Sequence, residues 1–161
     1  MSQDWYVAHT RPRCEKKLVQ YCEREGFSTT LPIYRVVHKY RGKTVEFQKP
    51  LFPGYVFLRL ETPGRQKIYQ SDYVANLLEV VDQTLFEHQL NDILEAIDTG
   101  LEVCLAPHIT IGTRVRIKSG PLRGMEGFVE NRTGRVQVVL RLDFISQAAA
   151  VSMEADNLEL I

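Results

Sequence analysis

The chain has 161 residues, room for one medium domain or two small ones, each with a modest core. Apolar residues make up 44% and charged residues 25%, as in ordinary globular proteins. No apolar run reaches membrane-spanning length, and the start MSQDWYVAHTRPR lacks the apolar segment of a signal peptide, so a cytoplasmic protein without a membrane partner is expected.

The net charge of zero hides a segregation. Residues 1–60 carry 11 Lys/Arg against 5 Asp/Glu, residues 61–111 carry 2 against 9, and residues 112–161 carry 7 against 6. Such a division points to a basic face for nucleic acid and an acidic face turned away from it, although a solvated surface can give the same counts. Three cysteines without a CxxC pair argue against a disulfide framework and against a structural zinc site. Cys14 and Cys22 lie eight residues apart on one predicted helix, about 12 Å of rise, too far to bridge. The Asn131-Arg132-Thr133 sequon is a chance match in a cytosolic protein.

Asp4–His9 is a short apolar strand. Pro12 suits the first turn of a helix that runs to Glu25 and stops at Gly26. Cys14, Leu18 and Cys22, with Tyr21 beside them, form its buried stripe, and Arg13, Lys16, Lys17 and Arg24 are left for solvent or phosphate. Phe27–Lys39 reads as an extended arm, Tyr40–Lys43 as a turn, and Thr44–Gln48 as the returning strand of a hairpin. Lys39, Arg41 and Lys43 crowd its tip, where charge either protects an edge or rests on a nucleic-acid backbone.

In Pro50–Leu60, Pro53 fixes φ and Gly54 can take φ > 0, which makes a tight entry into a strand from Tyr55. Alternation sends Tyr55, Phe57 and Arg59 one way and Val56, Leu58 and Leu60 the other. Aromatic residues on the second face leave two readings open. Either a helix covers that face, or Phe52, Tyr55 and Phe57 form an exposed patch for a partner.

Thr62-Pro63-Gly64 breaks the chain, and Arg65–Ser71 is a short helix. Val74–Val81 is a strand too continuously apolar for an exposed edge. Thr84–Glu87 matches a capping box that opens a helix to Thr99, with Gly100 beyond its end. Leu101–Ile111 loses periodicity, contains Pro107, and is the expected linker, apolar enough to lie against the first domain. From Gly112 the period becomes two. Thr113–Ser119, Phe128–Arg132, Arg135–Phe144 and Ala149–Met153 are strands, joined by the turns Gly120–Gly127 and Thr133-Gly134. Short strands with glycine-rich turns suggest a small barrel, whose turns already account for Gly120, Gly124 and Gly127.

Nothing in the chain spells catalysis. His9, His38, His88 and His108 are scattered without metal-ligand spacing, and no P-loop, GxGxxG, GxSxG or HExxH occurs. A non-enzyme without metal or cofactor is expected.

Trp5-Tyr6-Val7, FPGYVF over 52–57 and GPLRGMEG over 120–127, in this order and spacing across nearly the whole chain, resemble the NusG family of transcription elongation factors. The resemblance implies an α+β fold. Residues 1–100 would be an NGN-type antiparallel sheet with flanking helices, 101–111 a linker, and 112–161 an SH3-like KOW barrel. It implies that Phe52, Pro53, Tyr55 and His9 belong to a hydrophobic depression that seats on the clamp helices of RNA polymerase. By the same resemblance Arg11, Arg13, Lys16, Lys17, Lys39, Arg41 and Lys43 meet non-template DNA. Phe144, with Ile145 as the alternative, matches the loop by which KOW domains touch the ribosomal protein NusE or the termination factor Rho, unless it is a barrel residue at a strand end. A monomer without cofactors is implied.

Two departures from the family pattern point to a specialised paralogue of the RfaH-like kind. Pro12-Arg13-Cys14-Glu15 stands where housekeeping members carry Ser-Gly-aromatic-Glu, and His9 stands where RfaH-like members carry a tyrosine. The rival expectation from the residues is a ribosome- or RNA-binding module working through the basic strand face of Arg114, Arg116 and Lys118.

Overall fold

The computed structural model describes residues 3–106, 112–132 and 135–161. Pro107, His108, the Thr133-Gly134 turn and Thr133 of the sequon lie outside the described residues. The chain packs as two compact units, Met1–Ile33 with Phe52–Thr84 and Tyr34–Leu51 with Leu85–Ile161.

The first unit is built on a four-stranded antiparallel sheet of order β2-β5-β1-β6, from β1 (Asp4–Thr10), β2 (Ser28–Thr30), β5 (Tyr55–Leu60) and β6 (Val74–Glu79). Tyr6 and Ala8 of β1 and Val56, Leu58 and Leu60 of β5 share a core with Leu18 and Cys22 of helix α1 (Glu15–Glu25) and Ile68 of α2 (Arg65–Tyr69). The helix spacing of Leu18 and Cys22 turns both toward the sheet, while Cys14, expected in the same stripe, caps the helix and is only half-buried. Gly26, at φ 82°, ends α1 as expected. Its N–H bonds the Glu23 carbonyl at 3.3 Å and the Phe27 N–H bonds the Cys22 carbonyl at 2.8 Å, which closes a Schellman motif.

Three expectations need correction here. Pro12 does not start α1; it sits with Arg13 in a turn closed by the Cys14 N–H on the Arg11 carbonyl at 3.1 Å. Among the described residues strand β6 is an edge, paired with β1 alone and mostly exposed, with Leu78 at 38%. Phe52 and Phe57 are not an exposed patch, since both are buried, at 1% and 0%. The strand alternation was read correctly, but Phe57 on the second face of β5 is buried and serves the core, while Tyr55 at the strand's start is half-buried.

The second unit holds a six-stranded sheet, nearly all of a two-stranded ribbon, β3 (Ile33–Tyr40) and β4 (Lys43–Pro50), and helix α3 (Gln83–Asp98) from Leu85 onward, whereas Gln83 and Thr84 belong to the first unit. That sheet runs β12-β8-β9-β10-β11-β7, from β7 (Val103–Ala106), β8 (Thr113–Ile117), β9 (Glu126–Arg132), β10 (Arg135–Leu142), β11 (Gln147–Met153) and β12 (Leu158–Leu160). Each neighbouring pair of strands in it runs antiparallel. Val103–Ala106, expected as linker, is strand β7 on the free edge of β11, with Ala106 opposite Ala148 and Val103 opposite Val151. Its apolar residues explain the difference, because Val103 and Ala106 are buried in the sheet. Helix α3 begins at Gln83, a residue before the expected cap Thr84. The Gln83 amide donates to the carbonyls of Trp5 at 3.0 Å and Val80 at 2.8 Å, and its oxygen accepts the Trp5 N–H at 2.6 Å.

Candidate binding surfaces

Strands β1 and β5 run antiparallel with His9 opposite Tyr55, so the end of β1 and the start of β5 meet at one end of the first sheet. Entry into β5 is a turn from Phe52 to Tyr55, closed by the Tyr55 N–H on the Phe52 carbonyl at 3.2 Å. Pro53 occupies its second position and Gly54 its third at φ 87°, the geometry of a type II turn. The Thr10 N–H donates to the Gly54 carbonyl at 2.8 Å, fastening the turn to β1. Above it the rings of His9 and Tyr55 stack at 5.3 Å with 25° between planes.

Among the expected polymerase-binding residues, exposed His9 and Pro53 and half-buried Tyr55 thus form a rigid tip. Phe52 is its buried base, tilted against Phe57 at 6.3 Å between centroids.

The chain leaves this tip into a second turn of similar design. Pro12 precedes Arg13, which takes φ 61° without being glycine. Arg11, Arg13, Lys16 and Lys17 are all exposed, so the basic residues expected on this stretch do reach solvent. Farther along the chain, Lys67 pairs with Glu25 at 2.7 Å and is held above the ordinary lysine range by that hydrogen bond.

Lys39, Arg41 and Lys43 stand exposed at the tip of the β3–β4 ribbon. Arg41 and Gly42 both take positive φ, 47° and 78°, as a two-residue type I′ hairpin turn requires. Sequence reasoning stopped at the tip and passed over Val45, Phe47 and Lys49. Strand alternation from Lys43 was the signal that placed all three on one face.

In the six-stranded sheet, Gly120 and Gly124 shape the turn between β8 and β9, where the Gly124 N–H donates to the Ile117 carbonyl at 2.7 Å. Gly127 has another role. A Cβ there would lie 2.7 Å from Val138 Cγ1 and 2.9 Å from the Val139 carbonyl, so only glycine lets β9 approach β10 so closely. Phe144 falls in a 3₁₀ turn (Asp143–Ile145) after β10, not inside the strand as expected. Ile145 is buried at 9%, whereas Phe144 is half-exposed and meets the Phe86 ring edge-on at 6.1 Å. Asp143 fixes the turn. Its N–H donates to the Gln89 oxygen at 2.9 Å, and its carboxylate accepts from the Gln89 amide at 3.1 Å and from Arg141 at 2.9 Å.

The basic strand face is less cationic than its sequence suggests. Arg114 and Arg116 each donate to Glu126 at 3.1 Å, and Arg116 also meets Glu159 at 3.6 Å. The hydrogen bonds from Arg116 and Arg114 hold the Glu126 carboxyl below the usual carboxylate range. Among the described residues no group of three or more His, Cys, Asp or Glu side chains is placed to hold a metal ion, and no helix is long and apolar enough to cross a membrane.

A family profile described as "Transcription termination factor nusG" matches residues 3–93, from the start of the first sheet into α3. The chain belongs to the NusG family. It is 27% identical, over 96% of its own length and 94% of theirs, to proteins named transcription termination/antitermination protein NusG from Staphylococcus aureus strains Mu50, N315 and NCTC 8325.

Proposed function

We propose that this chain is a transcription elongation and antitermination factor that binds the clamp helices of RNA polymerase through its NGN part and recruits a second protein through a KOW part. The observation that carries the reading is the His9–Tyr55 stack on the Pro53-Gly54 turn, a rigid aromatic tip beside exposed Pro53 on the portion that matches the family. Stacked aromatics held by a fixed turn lose little entropy on docking, which suits them as an anchor for a helical partner.

The arginines and lysines at 11, 13, 16, 17, 39, 41 and 43 would face non-template DNA, and their exposure supports this. The run β8-β9-β10-β11 with its glycine turn supports an SH3-like KOW barrel. Half-exposed Phe144 is its contact for NusE or Rho, and buried Ile145 supports the barrel from within. His9 and Arg13, at positions where the family pattern differs, support a specialised paralogue of the RfaH-like kind. The protein acts as a cytoplasmic monomer and as a binding factor, not an enzyme. Against the rival RNA-binding module stand the ion pairs that neutralise Arg114 and Arg116.

The test is in vitro transcription with purified polymerase, with and without the protein and with and without Rho. A change in pausing or termination that disappears in His9→Ala with Tyr55→Ala supports the reading. Capture of ribosomal RNA instead of polymerase subunits from lysate would overturn it.

A further inference from the structure

We propose that Asn76 and His9 together bind a carboxylate side chain on the polymerase surface, with Tyr69 as the residue that positions the Asn76 amide. This deepens the reading above, on which it rests, by naming the group that the tip recognises beside its aromatic anchor. Residues directly opposite one another on neighbouring strands share a face. The register sets Tyr55 opposite His9 and His9 opposite Asn76, so a row of three side chains crosses β5, β1 and β6 at one end of the first sheet. His9 and Asn76 are both exposed, and opposite residues hold their Cβ atoms about 5 Å apart.

The orientation of the amide follows from its neighbours. The Leu77 N–H donates to the hydroxyl oxygen of Tyr69, on α2, at 2.9 Å. The hydroxyl, having accepted there, turns its own hydrogen to Asn76 Oδ1, a long contact of 3.5 Å. A carboxamide has one oxygen and one NH2 group. With the oxygen committed to Tyr69, the NH2 is left as a donor beside the His9 imidazole, which carries at least one N–H in either charge state. That imidazole is itself held, stacked on Tyr55 at 5.3 Å and packed over Gly54, where a Cβ would lie 3.7 Å from its Cδ2. Two donors one strand apart suit the two oxygens of a carboxylate, and an apolar partner would leave both unpaired. Strand β6 does not supply the acceptor from within. Its one carboxylate, Glu79, is three residues from Asn76 and faces the other side of the sheet. Leu78, two residues from Asn76 on the same face and 38% exposed, adds apolar surface next to the donors. Groups fixed before docking lose little entropy on binding.

The experiment is biolayer interferometry of the full-length protein on purified RNA polymerase across a salt series. Asn76→Ala should weaken binding roughly tenfold, and Asn76→Asp by more, since like charges then face each other. Asn76→Lys should bind at least as tightly as wild type and more salt-sensitively, because it sets a full positive charge against the carboxylate. Ala75→Asp, exposed on the same strand but off the row, should bind like wild type. Tyr69→Phe removes the oxygen that orients the amide. It should weaken binding about threefold in the wild type and not at all in the Asn76→Ala background, whereas a purely structural role would act equally in both. The inference is overturned if Asn76→Ala binds like wild type, if Asn76→Asp binds no more weakly than Asn76→Ala, or if Ala75→Asp is as damaging as Asn76→Asp. Additive losses from Tyr69→Phe and Asn76→Ala would overturn the positioning role of Tyr69. Tyr55→Ala separates this inference from the reading beneath it. If Tyr55→Ala weakens polymerase binding and the Asn76 variants do not, the carboxylate contact alone falls. If the wild type has no affinity for polymerase, both fall.

Discussion

Arg13 holds a left-handed backbone, φ 61°, without being glycine. That conformation costs a non-glycine residue about 1–2 kcal/mol, part of which glycine returns through its greater freedom in the unfolded chain. Arg13→Gly should therefore stabilise the protein by about 1 kcal/mol, read as a higher urea midpoint at unchanged slope. A lower midpoint would mean that the arginine side chain secures the turn. Phe52 teaches the opposite lesson. Buried at 1%, it would cost about 3–5 kcal/mol of stability as alanine, so lost polymerase binding in such a variant would report unfolding. Tyr55→Ala is the cleaner probe and should weaken polymerase binding roughly thirtyfold in a folded protein. Cys22 completes this scale. Burial pushes its thiol from an ordinary 9 up to about 11, so the folded state favours the protonated form. Stability from this group is whole below pH 9 and is lost as the pH climbs toward 11. Cys22→Ala should flatten the alkaline arm of the stability profile, and in the folded wild type iodoacetamide should modify half-buried Cys14 and Cys104 well before Cys22.

The elements that sequence located best were those closed by local chemistry. Gly26 stopped α1 because a Schellman cap needs its positive φ, and Pro53-Gly54 fixed the start of β5 through a turn that those two residues nearly dictate. What stayed hidden depended on distant partners. Nothing within Val103–Ala106 reveals that β11 offers it an edge, so an apolar strand looked like a linker. Nothing within β6 reveals that it ends its sheet among the described residues. The candidate tip divided in the same way: its turn was legible, but which of Phe52, Tyr55 and Phe57 faces solvent was decided by covering on both sides of the sheet. The β7 pairing changes where the chain should be cut. A fragment of residues 101–161 retains the partner of β11 and should give a dispersed amide spectrum with strand-like shifts. A fragment of 112–161 leaves the buried run Ala148–Val151 with an open edge and should be less stable or aggregate. Equal thermal stability of the two would make β7 dispensable, and a helical spectrum from either would overturn the strand assignment.

Across the whole molecule, the basic excess of residues 1–60 is shared between both compact units. Arg11, Arg13, Lys16 and Lys17 belong to the first, and Lys39, Arg41 and Lys43 to the second. Two separate basic sets can grip one DNA strand at two places, or one set can bind while the other is merely solvated. The salt dependence distinguishes these cases, because each phosphate contact on a single strand adds roughly 0.7 to the slope of log affinity against log salt. Charge reversal at Arg13 and Lys17, and separately at Arg41 and Lys43, should each remove about two contacts and lower the slope by about 1.4. If the two sets act independently, the fourfold variant should lose the sum of both effects. The measurement is binding and crosslinking to non-template DNA in stalled elongation complexes, where polymerase raises the local concentration of a weak DNA ligand. Polymerase binding through His9 and Tyr55 should persist in every one of these variants. If only the ribbon pair alters crosslinking, the first set is a solvated helix face. If the slope survives both reversals with polymerase still bound, neither set touches DNA, and the charge segregation serves only solubility.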